Sequence, residues 1–300
     1  MNITLKPSWS IFGKGVNSMS PLPDSYCRNI TKGFLLDLYA DIDRPNGVYS
    51  FTRSWRDNME KHEKSLRMEL FNKFFKPTPG APTKEQLEEA KQQEWWKYVY
   101  TNCGADMAKR IAKLNINNDK KAEIVKRFVG VVKNFRGYVW ELVIEAGVKA
   151  GEFLDYLSMD YEPCTENFQE NIDGIGTTKL GTHKIGVQAK NWQVESVDRK
   201  VIQQLADELE KWQVDGTIPD TTTVAELNND TWMYVISSGP VSYYGNVRGI
   251  PENREAEMNE ILAKNYGKRI RVIGPDALDK IFATKNQTQR EFFKDLADSI

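Results

Sequence analysis

The chain has 300 residues, 40% hydrophobic and 11% aromatic, enough apolar side chain to fill one large or two ordinary cores, which excludes a disordered protein. Its 42 acidic and 41 basic residues leave a net charge of −1, so any affinity for nucleic acid has to come from local clusters and not from the sum. Cys27, Cys103 and Cys164 are isolated, which excludes a zinc ribbon or disulfide framework and points to a reducing compartment; with no run resembling a signal peptide or membrane span, a cytoplasmic location is expected.

Residues 1–46 read as irregular, with prolines at 7, 21, 23 and 45. The spacing predicts helices over 54–73 and 83–114, the second opening on a Thr83-x-x-Gln86 capping signal after Pro77-x-Pro79-Gly80-x-Pro82. Trp95, Trp96, Tyr98 and Tyr100 lie close together on the second helix and are read as core packing or a partner interface, not as a base-stacking platform. His62 lies in a charged helical stretch and His183 on a strand surface, so no histidine metal site or triad is expected. An Asn-rich break over 115–119 separates a mainly helical N-terminal module, 1–117, serving target recognition or dimerisation, from a second domain, 118–300.

Residues 120–150 read as one long helix, with Ile124, Phe128, Val131, Phe135, Val139, Leu142 and Ala146 recurring at three- and four-residue steps. Its first part concentrates Lys120, Lys121, Lys126, Arg127, Lys133 and Arg136 against Asp119 and Glu123, and Lys264, Lys268, Arg269 and Arg271 form a second basic group. Such runs are either solvated helix faces or phosphate contacts. Two strands, 168–176 and 183–190, follow as a hairpin, which places Asp173 near the end of the first. A helix over 196–212, a strand over 232–237, a helix over 253–266, a strand over 269–273 and a helix from Pro275 complete the chain. Strands alternating with helices imply an α/β fold, a mixed sheet flanked by helices.

Chemistry concentrates on the hairpin. Side chains alternate along a strand, so Gln188 and Lys190 project from one face and can meet Asp173 at one edge of the sheet. A carboxylate that holds a divalent cation through oxygen, beside an ammonium that orients or deprotonates water, suits metal-assisted phosphodiester hydrolysis. The alternative is structural: Asp173-Gly174 as a turn and Lys190 as an exposed strand lysine. Ser238 to Gly249 forms a glycine- and tyrosine-containing loop directly after a strand, either a connection or a ligand contact through Arg248, Tyr243 or Tyr244. No Walker-type motif occurs, so no nucleotide cofactor is expected.

Val187-Gln188-Ala189-Lys190-Asn191-Trp192 resembles the second motif of the PD-(D/E)xK nucleases, in the Gln-x-Lys form of their Mrr-like restriction endonuclease branch. The resemblance runs from Gly137-Tyr138-Val139-Trp140-Glu141-Leu142-Val143 to Arg271-Val272-Ile273-Gly274-Pro275-Asp276-Ala277-Leu278, roughly the last 180 residues. It implies a restriction-endonuclease-like sheet with Glu141, Asp173, Gln188 and Lys190 as catalytic residues. Asp173, Glu141 and the Ala189 backbone carbonyl would hold Mg²⁺, with Mn²⁺ able to substitute, and Lys190 would position the water; Glu145, one turn on, is the alternative to Glu141. The implied activity is Mg-dependent endonucleolytic cleavage of double-stranded DNA in restriction of foreign DNA, by a homodimer because two strands need two active sites. Lys126, Arg127, Lys133, Arg136 and Arg248 are then the candidate DNA contacts. A junction-resolving, repair or phage-encoded nuclease uses the same core, and a non-catalytic DNA-binding module retaining the fold is the alternative of another class.

Overall fold

Five strands form one sheet in chain order: β1 (Met159–Pro163), β2 (Gly174–Thr178), β3 (Lys184–Lys190), β4 (Met233–Ser237) and β5 (Ile270–Ile273). β1, β2 and β3 pair antiparallel, whereas β3, β4 and β5 pair parallel, so the sheet is mixed. A computed structural model provides the coordinates, and it describes residues 24–42, 50–74, 79–150, 159–163, 172–178, 184–192, 195–214, 233–267, 269–282 and 287–300. The helices are α1 (Asp24–Ile42), α2 (Phe51–Phe74), α3 (Lys84–Lys91), α4 (Glu94–Cys103), α5 (Ala105–Ala112), α6 (Asn118–Ala150), α7 (Arg199–Val214), α8 (Glu255–Tyr266), α9 (Pro275–Phe282) and α10 (Gln287–Ser299). Among the described residues no helix is long and apolar enough to cross a membrane.

Contacts sort the chain into two units, neither a single stretch. The described residues of Leu35–Asn58 and Val139–Ile300 make up one, and those of Ser8–Phe34 and Met59–Tyr138 the other. The unit that holds the sheet therefore draws on chain from both sides of residue 117. On one sheet face, Met233 and Val235 of β4 and Ile270 and Val272 of β5 pack with Val201, Ile202, Leu205 and Leu209 of α7 and Met258 and Leu262 of α8. A second cluster is aromatic: Phe51 stacks on Phe282 and Phe293 with ring centroids 4.4 and 5.9 Å apart, and Trp55 meets Trp140 edge-on at 4.8 Å. Trp140 fastens this cluster to the sheet by donating from Nε1 to the Ile236 carbonyl at 3.0 Å. Glu255, at the start of α8, accepts backbone N–H bonds from Gly274, Asp276 and Ala277 and so satisfies the first amides of α9.

The helical unit has its own core, in which Trp95, Val99, Met107, Ile111, Val125 and Phe128 are buried. Of the four aromatics on α4, the two tryptophans belong to that core, whereas Tyr98 and Tyr100 stay 38% and 52% exposed. The Thr83–Gln86 capping box forms at the start of α3. The single helix expected over 83–114 is corrected to three: α3 ends at Gln92, and Gly104, at φ 86°, lies in the left-handed region between α4 and α5. α1 corrects the irregular reading of 1–46 over its own span, where Leu35 and Leu38 give it a fully buried stripe, and the rest of that stretch lies outside the described residues.

Candidate active site

Asp173 stands one residue before β2, which corrects its expected place near the end of a strand. The antiparallel register, Gly174 opposite Val187, sets it across from Gln188, and the Asp173 N–H donates to the Val187 carbonyl at 2.8 Å. Its carboxylate then receives two donors from β3: the Ala189 N–H bonds Oδ2 at 2.7 Å, and the Gln188 carboxamide nitrogen bonds the same oxygen. Both bonds that described residues give this carboxylate fall on Oδ2 and none on Oδ1. Gln188 thus restrains the carboxylate through its nitrogen, with its own oxygen turned elsewhere.

The glycine after Asp173 has a packing reason. Gly174 has an ordinary strand conformation, but a Cβ there would overlap the Tyr161 ring, which crosses from β1. Asp173-Gly174 is therefore not a tight turn: the glycine makes room for the Tyr161 ring beside the residue that bears the carboxylate.

Lys190 is the last residue of β3, on the same face as Gln188. Burial holds its pKa below the ordinary lysine value, opposed by the negative charges of Asp173 and Glu141. Burial likewise raises the Asp173 carboxyl, opposed by the Ala189 N–H, the Lys190 charge and the Gln188 carboxamide. The structure thereby brings Glu141, Asp173, Gln188 and Lys190 to one place, and of the two glutamates considered it is Glu141, not Glu145, whose charge acts on Lys190. Ala189 contributes its backbone: N–H and C=O of a strand residue point to the same side, so its carbonyl lies with its N–H on the Asp173 side, beyond the last β2–β3 pair. Among the described residues no group of three or more His, Cys, Asp or Glu side chains could hold a metal, so a cation here would rest on two carboxylates supplemented by neutral oxygens.

Several residues of the surroundings carry no signal in the sequence. Asn191 accepts from Trp55 Nε1 at 3.1 Å and from Ser238 Oγ at 2.5 Å, and the Ser238 N–H donates to the Lys190 carbonyl at 3.0 Å. The backbone beside Lys190 is therefore clamped between α2 and the end of β4. The indole bond from Trp140 to Ile236, which pairs with Ala189, sets the neighbouring Glu141 near the same strand ends. Gln188 and Lys190 lie at the carboxyl end of β3, one of the parallel strands, where ligands bind in open α/β sheets.

The candidate DNA contacts divide. Lys126 and Lys133 are exposed on α6, the latter with Nζ 5.3 Å from the Tyr98 ring centre. Arg127 is exposed and paired with Glu123 at 3.0 Å. Arg136 is committed to the helical core: its Nε and Nη2 both bond the buried carboxylate of Glu63, the second at 2.6 Å, and Nη2 also reaches the Asn102 carbonyl at 3.5 Å. Lys121 likewise turns inward, donating to the Ala112 carbonyl at 3.0 Å. Arg248 is exposed, while His183, Cys164 and Lys268 lie outside the described residues.

Two consequences are measurable. Gly174→Ala is expected to cost about 1–3 kcal/mol, because Tyr161 has to move out of its packed position, and to lower activity by displacing Asp173; chemical denaturation and a cleavage assay check this, and a variant matching the parent in both would contradict the close approach. The second concerns pH. A carboxyl whose folded pKa lies above its unfolded value gives stability while protonated, and that stability is lost as pH rises through the folded value. The metal-free protein should therefore lose stability across the window just above the ordinary carboxylate range. Asp173→Asn should remove its share of that loss, leaving the share of Glu255, which burial raises in the same direction. Thermal denaturation over a pH series reads this, and superimposable profiles would contradict it.

A family model described as restriction endonuclease, of the Mrr type within the PD-(D/E)xK group, matches residues 132–225. No curated protein and no solved structure matches the chain. The mixed sheet with flanking helices and a mainly helical N-terminal region agrees with the restriction-endonuclease-like architecture. Residues 132–225, with Glu141, Asp173, Gln188 and Lys190 among them, thus carry the similarity to PD-(D/E)xK restriction endonucleases that the hairpin motif pointed to.

Proposed function

We propose that the chain is a divalent-metal-dependent endodeoxyribonuclease that hydrolyses phosphodiester bonds of double-stranded DNA, serving restriction of foreign DNA. The observation that carries the reading is the convergence of Asp173, restrained by Gln188 and Ala189, with Lys190 and Glu141 at one end of β3, inside the matched segment.

The donor set fits a hard cation. The Asp173 carboxylate and the Ala189 carbonyl lie on one side of β3, and Glu141 adds a second charge directly or through water. With a glutamine at 188 the set has one negative charge fewer than a three-acid site. Mg²⁺ is the proposed ion and Mn²⁺ its substitute; when bound, such a cation supplies Lewis-acid stabilisation of the phosphate and a lower pKa for attacking water. Gln188 and the Ala189 N–H hold Asp173 in one rotamer before any ligand arrives, so little reorganisation remains for the reaction. Lys190 has a part-buried ammonium whose proton is held less tightly than that of a free lysine, so its Nζ can orient water, accept a proton from it, or steady charge growing on the phosphate.

Lys126 and Lys133, and Arg127 once freed from Glu123, are the proposed phosphate contacts on α6, while Arg136 is withdrawn from that role by its pairing with Glu63. The working form proposed is a cytoplasmic homodimer, one site for each DNA strand, with the N-terminal module serving target choice or dimerisation.

Cleavage of plasmid DNA in Mg²⁺ by the parent protein is expected to fall by on the order of 10²-fold or more in Asp173→Ala and in Lys190→Ala, with folding unchanged by circular dichroism. Retained cleavage in both variants would remove these residues from the mechanism, and tight binding without cleavage by the parent would favour the non-catalytic DNA-binding alternative.

A further inference from the structure

The chain leaves β4 at Ser237, and the Ser238 N–H donates to the Lys190 carbonyl at 3.0 Å, so the loop leading to α8 begins at the sheet end that carries the candidate active site. This loop is held throughout. The Ser196 N–H donates to Asn246 Oδ1 at 2.9 Å, the Arg199 N–H to the Tyr243 carbonyl at 3.2 Å, the Val241 N–H to Asn253 Oδ1 at 3.2 Å, and Val197 pairs with Val241. At its tip, Val247 and Ile250 exchange both backbone hydrogen bonds, at 3.1 and 3.0 Å, around Arg248-Gly249. Arg248 has φ 52° and Gly249 φ 79°, which makes this a two-residue hairpin turn with both central residues in the left-handed region.

Glycine suits such a turn and arginine does not, since the Cβ of an L-residue crowds the following carbonyl there. Arg248 is the one non-glycine with positive φ among the described residues, and asparagine or glycine would close the turn with less strain. Its exposed guanidinium has no hydrogen-bond or ion-pair partner among the described residues. Tyr244 and Ile250, 67% and 63% exposed, flank it. The acids that follow Arg248 in the chain are engaged elsewhere, Glu252 and Glu257 by Arg254 and Glu255 by the N–H groups of Gly274, Asp276 and Ala277, so they do not quench its charge.

We infer that this hairpin reads the DNA, with Arg248 as a specificity-determining residue that donates to base edges in the major groove while Tyr244 and Ile250 make apolar contact beside it; the inference rests on the DNA-cleaving function proposed above. A phosphate is reached equally well by a flexible side chain, so holding the backbone in a strained geometry gains nothing there. A guanidinium is a planar fork whose two parallel donors match guanine O6 and N7, and that match depends on where the Cα is fixed.

The test is binding of a randomised duplex library, without divalent cation so that nothing is cut, by the full chain and by Arg248→Gly and Arg248→Lys. Glycine keeps the turn, and lysine keeps the charge without the fork. Both variants are expected to lose about tenfold or more of the preference at the same one or two base pairs, with thermal midpoints no lower than the parent's and, for the lysine variant, an unchanged salt dependence. A lysine variant that selects sequences as the parent does would overturn base reading in favour of a phosphate contact, and a fall of about 0.9 in the salt slope of the glycine variant with preference intact would say the same. A glycine variant identical to the parent, or a parent with no sequence preference, would reduce the hairpin to a connection while leaving the nuclease function standing. A parent that binds no duplex at all would overturn both.

Discussion

Two N–H groups of β3, one from the Ala189 backbone and one from the Gln188 side chain, converge on a single oxygen of Asp173, and the rest of the site is arranged around that capture. Asp173 lies outside the regular pairing of β2, where an aspartate has several rotamers of similar energy. The two donors select one and leave the second oxygen without a bond to the strand. The Tyr161 ring fills the space beside Gly174, the residue that follows Asp173. Held this way, the carboxylate loses solvent, which raises its pKa, and Lys190 beside it loses solvent as well, which lowers its own. Shifts in these opposite directions weaken each group's hold on its charge and bring both nearer to the range in which catalytic proton transfer operates.

Rigidity is supplied from further away. The aromatic cluster of Phe51, Trp55, Trp140, Phe282 and Phe293 is buried, and two of its members end in hydrogen bonds to the sheet rather than in apolar contact alone. Trp55 reaches Asn191, the residue after Lys190, and Trp140, the residue before Glu141, reaches the strand neighbour of Ala189. Burial of these large side chains, a general source of stability, is thereby converted into positional accuracy at the candidate site. The left-handed Arg248 shows the reverse relation, strain kept at an exposed tip by a loop pinned at several points.

The parts legible in the sequence are those written in local periodicity. The alternation along Val187-Gln188-Ala189-Lys190 places Gln188 and Lys190 on one face, the three- and four-residue spacing of α6 gives its length, and the hydrophobic runs at 233–237 and 270–273 give the two parallel strands. What escaped is long-range. β1 consists of Met-Asp-Tyr-Glu-Pro, a sequence with no strand signal of its own, so no local pattern reveals that Gly174 makes room for the Tyr161 ring. The bond from Trp55 to Asn191 joins residues 136 apart, and no spacing rule anticipates it. Charge runs misled for a related reason: Arg136 and Lys121 sit in the same basic stretch as Lys126, but composition does not record which side chains turn inward to Glu63 and Ala112. The breaks at Gln92 and Gly104 were written in the chain, one as a glycine, yet the continuous polar and apolar pattern across them read as a single helix.

That the β3 capture creates a cation site is the claim on which the nuclease mechanism depends, and it can be tested apart from cleavage. Calorimetric titration of Mn²⁺ into the parent protein and into Asp173→Asn, which keeps the shape of the side chain and an acceptor for both β3 donors, measures it directly. The account predicts saturable binding to the parent and its loss in the variant, with both proteins folded. Equal binding to the two would contradict it, since the cation would then rest on something other than the carboxylate that β3 holds in place.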